Sequence, residues 1–124
     1  MRRAITVAAL LGLVATAAVA APPKPGTIIP NGTYHCKAGS SRMMLTLGDM
    51  QISGMRYTFK APNGLTTSGT YALAPDGYRW HGDIAAIKQD MIVESGPDAK
   101  PGDFWFFYRL QPGQSPTTAA CGRI

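Results

Sequence analysis

Two cysteines constrain this chain more than any other feature. They are the only ones among 124 residues, and Cys36 and Cys121 stand near the beginning and the end of the part that can fold. In an oxidising compartment a lone pair most simply forms one bridge. A bridge spanning 85 residues closes almost the whole folding unit, which in the chain-entropy view restricts the unfolded chain by roughly 4 to 5 kcal/mol. A redox pair or a metal site are the alternatives. There is no C-x-x-C, and His35 beside Cys36 supplies too few ligands for a metal.

Whether the compartment is oxidising is read from the first twenty residues. Arg2 and Arg3, the apolar stretch Ala4 to Val19, and the small residues Ala18 and Ala20 follow the order of a secretory signal peptide. Residues 1–20 are therefore expected to be removed, with the mature chain starting at Ala21 in a bacterial periplasm or outside the cell. An uncleaved anchor is the other reading, but the stretch is Ala-rich and short of the roughly 20 residues that cross hydrocarbon. The Arg pair lacks the rest of a twin-arginine signal, and no cysteine precedes Cys36 to take a lipid. No stable membrane insertion is expected after cleavage. Without Arg2 and Arg3 the balance becomes 10 Lys and Arg against 7 Asp and Glu, too mild a charge to imply a nucleic-acid partner.

The remaining hundred or so residues suit one domain with a thin margin of buried surface. Residues 21–30 hold four prolines and read as an extended, unpaired tether; residues 31–124 read as a single β domain. Tyr34 and Cys36 alternate with Thr33, His35 and Lys37, and Tyr57 and Phe59 alternate within Arg56 to Lys60, the period of a strand with one buried face. Arg42 to Leu47 alternates in part and leads through a Gly48-Asp49 turn to Gln51 to Ser53. Pro62-Asn63-Gly64 and Ala74-Pro75-Asp76-Gly77 are turn sequences, the second placing Tyr71 to Leu73 and Tyr78 to Trp80 in a hairpin. Ile84 to Val93 fits a helix face or a strand and stays open. Ser95 to Gly102 reads as a loop, and Thr117 to Cys121 as a closing strand. Six to eight short strands bounded by Gly and Pro predict an all-β antiparallel meander. It curls into a closed or nearly closed barrel, lipocalin-like, or into a sandwich, because open edges invite aggregation.

Phe104 to Tyr108 is the most apolar stretch of the mature chain. Phe104, Phe106 and Tyr108 share one face, while Trp105 and Phe107 share the other, so both faces want cover or a partner. Chemistry is sparse by comparison. His81 and Asp83 lie two apart at a strand end, but no H-E-x-x-H, G-x-S-x-G or carboxylate cluster accompanies them. No catalytic residue, metal or cofactor is expected. Asn31-Gly32-Thr33 fits a glycosylation sequon and reads more simply as a turn. Arginines neighbour aromatics at Arg56-Tyr57, Tyr78-Arg79-Trp80 and Tyr108-Arg109, the default pattern of half-buried strands.

The pattern Gly32-Thr33-Tyr34-His35-Cys36, with Gly54-Met55-Arg56-Tyr57, Ser68-Gly69-Thr70-Tyr71 and the final Cys121, resembles small exported proteobacterial proteins. These open on G-x-Y-x-C, repeat glycine and tyrosine along a β meander and end on a cysteine. The resemblance implies a secreted or periplasmic β domain and no activity. A second likeness is to periplasmic inhibitors of C-type lysozyme. Tyr34, Cys36 and Gly39 are similar to the opening Y-x-C-x-x-G of that family, and Ser53, Gly54 and Tyr57 to its inhibitory S-G-x-x-Y loop.

Taken together these features predict an exported, non-enzymatic β domain with a binding or envelope-associated role and an unknown partner. One alternative is a protein inhibitor of an envelope-directed hydrolase such as lysozyme, acting through Ser53 and Tyr57. The other is a carrier of a small apolar ligand lined by Trp105, Phe104 and Phe106.

Overall fold

A computed structural model describes residues 24–40 and 43–124; the expected signal peptide and Ala21 lie outside the described residues. Eight strands follow in chain order. They are β1 (Gly32–Ser40), β2 (Met43–Ser53), β3 (Arg56–Lys60), β4 (Thr66–Ala74), β5 (Gly77–His81), β6 (Ile92–Pro97), β7 (Phe104–Tyr108) and β8 (Thr117–Arg123). A single turn of 3-10 helix at Gln89–Met91 precedes β6. All pairings are antiparallel, in the spatial order β5-β4-β3-β2-β1-β8-β7-β6. The chain is a meander whose first and last strands pair, which leaves β5 and β6 facing each other as the lips of a nearly closed barrel.

Cys36 and Cys121 are direct cross-strand neighbours in the β1–β8 ladder, bridged with Cα atoms 4.1 Å apart. The disulfide therefore ties together the two strands that are most distant in sequence. Alternation then fills the interior. Tyr34, Met50, Ile52, Tyr57, Phe59, Tyr71, Tyr78, Trp80, Phe104, Phe106, Tyr108 and Ala119 are all buried and form one cluster with the two cysteines. Trp80 sits at its centre, with ring centroids 5.3 Å from Tyr57, 5.4 Å from Tyr71 and 5.7 Å from Phe104, separations at which offset and edge-to-face aromatic pairs gain energy beyond burial.

Two segments depart from the expectations of the sequence, and a third that the sequence left open is resolved. The Gly48-Asp49 turn does not form, because β2 runs unbroken from Met43 to Ser53. The ladder to β1 absorbs Leu47 as a bulge between the pairs Cys36↔Gly48 and Lys37↔Thr46. Gly48 serves the bulge rather than a turn: its φ is 145°, and a Cβ there would press on the Phe59 ring. The loop expected from Ser95 is shorter, since Ser95, Gly96 and Pro97 complete β6 opposite Phe106, Trp105 and Phe104. Pro97 lies on an outermost strand of the sheet, where its missing N–H breaks no further ladder. The open segment Ile84 to Val93 resolves into an Ile84↔Ile87 bridge, the 3-10 turn and the start of β6.

The lips are held by side chains. Trp80 Nε1 donates to Ser95 Oγ over 2.9 Å, and Ser95 Oγ donates to the carbonyl of Trp105 over 2.9 Å, so a buried serine joins β5 to β7 through β6. Gly77 permits the approach, because any Cβ there would collide with the Ser95 carbonyl. The outward edge of β5 is partly covered by Arg79, which donates to the Tyr78 carbonyl and pairs with Asp76 at 3.0 Å.

Both barrel ends are plugged. Lys24–Pro30 carries no strand, yet its end is firmly held: Gly26 N donates to Ala74 O, Ile29 N to the Tyr71 hydroxyl, and the Tyr78 hydroxyl to Thr27 O. Ile29 is buried in the aromatic cluster. Ile84 and Ile87 are buried in that cluster too. There the Tyr57 hydroxyl donates to Asp83 O, and Ala85 N donates to Thr67 Oγ1.

Candidate functional site

The aromatic residues of β7 divide between two environments. Phe104 and Phe106 are fully buried inside the barrel, whereas Trp105 lies half-buried on the outer face, packed over Gly96 with its Nε1 donating to Pro97 O over 3.1 Å. These three side chains therefore do not line one common cavity. They are engaged by Tyr34, Trp80 and the β6 backbone, and the interior they would have enclosed is filled with rings.

Ser53 and Tyr57 also part company. Ser53 is exposed at the end of β2, while Tyr57 points inward and is 2% exposed. Burial, reinforced by the nearby charge of Asp83, pushes the Tyr57 phenol up to about 12. A neutral tyrosine bonded to the Asp83 carbonyl is a core residue and is not presented on a loop. The turn between β2 and β3 is itself fixed, because Gly54 N donates to Asn31 Oδ1 and Met55 O accepts from Tyr71 N. Asn31, the first residue of the sequon, spends its side-chain oxygen there.

His81 and Asp83 do not pair. Asp83 instead accepts from Gln89 N and from Lys88 Nζ, which organises the plug around Ile84. His35 Nδ1 donates to Asp49 Oδ1 over 2.7 Å on the outer face, a contact too exposed to contribute much to stability. Among the described residues no group of three or more His, Cys, Asp or Glu is arranged to hold a metal.

Several hollows mark the outside of the barrel among the described residues, and two bear on binding. One is a broad groove of about 740 Å³ over β2, β3 and β4, where Gln51, Ser53, Arg56, Thr58, Ser68 and Thr70 give it a polar lining. The other is a cleft of about 390 Å³ at the barrel end plugged by Ile29. One wall is the N-terminal strap, with Pro25, Ile28 and Pro30; the other is the β6–β7 loop, with Pro97, Ala99 and Pro101; Tyr78 also lines it. Lys24, Asp98 and Asp103 add charged groups to this mainly apolar lining. The cleft exists because the strap is bonded down at Gly26, Thr27 and Ile29 while the side chain of Ile28 stays exposed. Asp103 steadies the opposite wall: its backbone N–H and C=O bond Lys100 O and Asp98 N, and its carboxylate accepts from Arg123 N.

Sequence reasoning missed this cleft. Its only signal was the apolar pair Ile28-Ile29 inside a proline-rich segment, which a fully solvated tether does not need. No protein-family model matches the chain, and neither the curated proteins nor the solved structures contain a match to it. What stands on its own geometry is a disulfide-closed, ring-filled β-barrel with an apolar cleft at one end, its disulfide compatible with an oxidising, exported location.

Proposed function

We propose that this chain is an exported, non-enzymatic binding domain, periplasmic or secreted, that holds a small apolar or amphipathic ligand in the cleft between its N-terminal strap and the β6–β7 loop. The observation that carries the reading is the cleft itself. Its volume of about 390 Å³ and its Pro, Ile, Ala and Tyr lining with a few charged groups match the general character of small-molecule sites, which run from about 300 to 1,000 Å³. The barrel supplies rigidity: the strap is bonded to Tyr71, Ala74 and Tyr78, so the walls need little ordering when a ligand arrives. The ligand's apolar body would lie against Ile28, Pro30 and Pro101, and its polar end toward Lys24, Asp98 or Asp103. The cleft supports a carrier reading at the barrel end rather than in the interior, which aromatic rings fill.

The test is titration of the oxidised protein with the fluorescent apolar probe 1-anilinonaphthalene-8-sulfonate. Saturable one-to-one binding is expected. Ala99→Trp, which fills the cleft from an exposed loop, and Ile28→Asp, which charges its wall, should each weaken binding at least tenfold with the melting temperature unchanged. Thr58→Trp in the polar groove should leave it intact. Absence of saturable binding by the unaltered protein, or binding indifferent to Ala99→Trp and Ile28→Asp, overturns the reading.

A further inference from the structure

The β1–β2 hairpin extends past the body of the barrel. β8 pairs with β1 only from Tyr34 to Ala38, and β3 pairs with β2 only from Asp49 to Ser53, yet β1 and β2 stay paired with each other out to Ser40↔Met43. From Met43 to Gly48 one backbone edge of β2 is taken by no strand among the described residues. The side chains there are apolar and uncovered: Met43 is 67% exposed, Met44 53% and Leu45 64%. The bulge at Leu47 sets their direction. Leu45 stands opposite Ala38, whose side chain faces the barrel interior, so Leu45 and Met43 continue that inner face beyond the barrel, while Met44 and Thr46 share the outer face with Gly39 and Lys37.

An exposed strand edge is ordinarily blunted by a lysine, a proline, an inward charge or a bulge. Met43 to Gly48 contains no lysine, proline or charge, and its bulge at Leu47 lies beyond the exposed run Met43 to Leu45. The segment is also its own complement. In a two-fold antiparallel pairing centred on Leu45, Leu45 meets the partner's Leu45, Met43 meets the partner's Leu47, and Met44 meets the partner's Thr46. The inner face of the joined arms is then apolar throughout and no like charges stand opposite each other, the condition under which cross-strand pairs stabilise. No charged residue lies within Met43 to Leu47, so nothing in the paired segment itself selects a charged partner over a second copy.

We propose that two copies of this protein associate through antiparallel pairing of their β2 edges at Met43–Leu47, giving an isologous dimer. The inference is independent of the ligand cleft, which lies on other residues. With only a few side chains buried on each side, the contact falls in the small, transient class of interfaces, so the dimer forms and dissociates readily.

Sedimentation velocity of the oxidised protein tests this, over concentrations from about 10 μM to about 1 mM, a range suited to weak interfaces. The weight-average mass should rise toward twice the monomer value across that range, and amide exchange at Met43–Leu47 should slow in step. Leu45→Lys, on an exposed arm outside the core, should hold the protein at monomer mass throughout with an unchanged melting temperature. Val93→Lys, which charges a different exposed apolar site, should leave the mass increase intact. A monomer at every concentration overturns the proposal. So does an association that Leu45→Lys leaves unchanged or that Val93→Lys abolishes equally.

Discussion

Ser95→Ala tests how the barrel is shut. Ser95 is 1% exposed and its hydroxyl carries two hydrogen bonds of 2.9 Å, accepting from Trp80 Nε1 and donating to the Trp105 carbonyl. Removing it forfeits two bonds worth about 1 kcal/mol each and leaves the buried indole N–H unsatisfied, which itself costs about 1 to 3 kcal/mol. The small cavity left by one oxygen adds little. A loss of about 2 to 4 kcal/mol is therefore expected, large against the roughly 5 to 15 kcal/mol that holds a domain together. Urea unfolding followed by far-ultraviolet circular dichroism measures it, and amide exchange should show β5 and β6 opening ahead of β1 and β8, which the disulfide holds. Trp80→Phe removes the donor, so Ser95→Ala should cost less in that background, with a coupling of about 1 to 2 kcal/mol in the double-mutant cycle. A Ser95→Ala protein within about 0.5 kcal/mol of the original, the range of ordinary surface changes, would refute the argument, as would a loss uncoupled from Trp80.

Three other outcomes follow from the same structure. Reducing the Cys36–Cys121 bridge, which closes 85 residues, should lower stability by roughly 4 to 5 kcal/mol; an unchanged melting temperature after complete reduction would contradict this. Tyr57 gives an alkaline limit. Its folded value of about 12 stands above the ordinary 10.0, so its contribution is complete below pH 10 and is lost as pH rises from 10 to about 12, amounting to roughly 2 to 3 kcal/mol. Burial also raises Tyr108, Tyr71 and Tyr34, which steepens the same decline, and Tyr57→Phe should shallow it in pH-dependent unfolding curves. Ile29→Ala, at the buried plug, should cost about 2 to 4 kcal/mol in urea unfolding, whereas a strap that is only a tether would tolerate the change.

What was legible in the sequence was whatever depended on neighbours a few residues apart. Arg56 to Lys60 and Phe104 to Tyr108 are strands with the buried faces that their alternation required, and Ala74 to Gly77 turns as its Pro-Asp-Gly chemistry demands. Asn63 and Gly64 likewise make their turn, with Asn63 Oδ1 accepting from Leu65 N. The cysteine pair was legible because only two partners existed. What was not legible depended on contacts across the fold. Gly48 looks like a turn residue until the Phe59 ring is placed against it, and Ser95-Gly96-Pro97 looks like a loop until Trp80 and Trp105 claim the serine. The aromatic run of β7 suggested a lined cavity, but alternation sends Trp105 to the opposite face from Phe104 and Phe106. Rings from β1, β4 and β5 occupy the space between, so the concave apolar surface arises where the strap and the β6–β7 loop meet. No periodicity within either segment records that meeting.

The proposed binding lies at the barrel end rather than within the barrel. The most direct measurement is a nuclear magnetic resonance map of the oxidised protein during titration with 1-anilinonaphthalene-8-sulfonate. The shifts should concentrate on Ile28, Ile29, Tyr78, Ala99 and Gly102, with Phe59, Phe106 and Tyr108 unmoved. Saturable shifts centred on Phe59, Phe106 and Tyr108, with the strap and the β6–β7 loop silent, would place the ligand inside the barrel and contradict it.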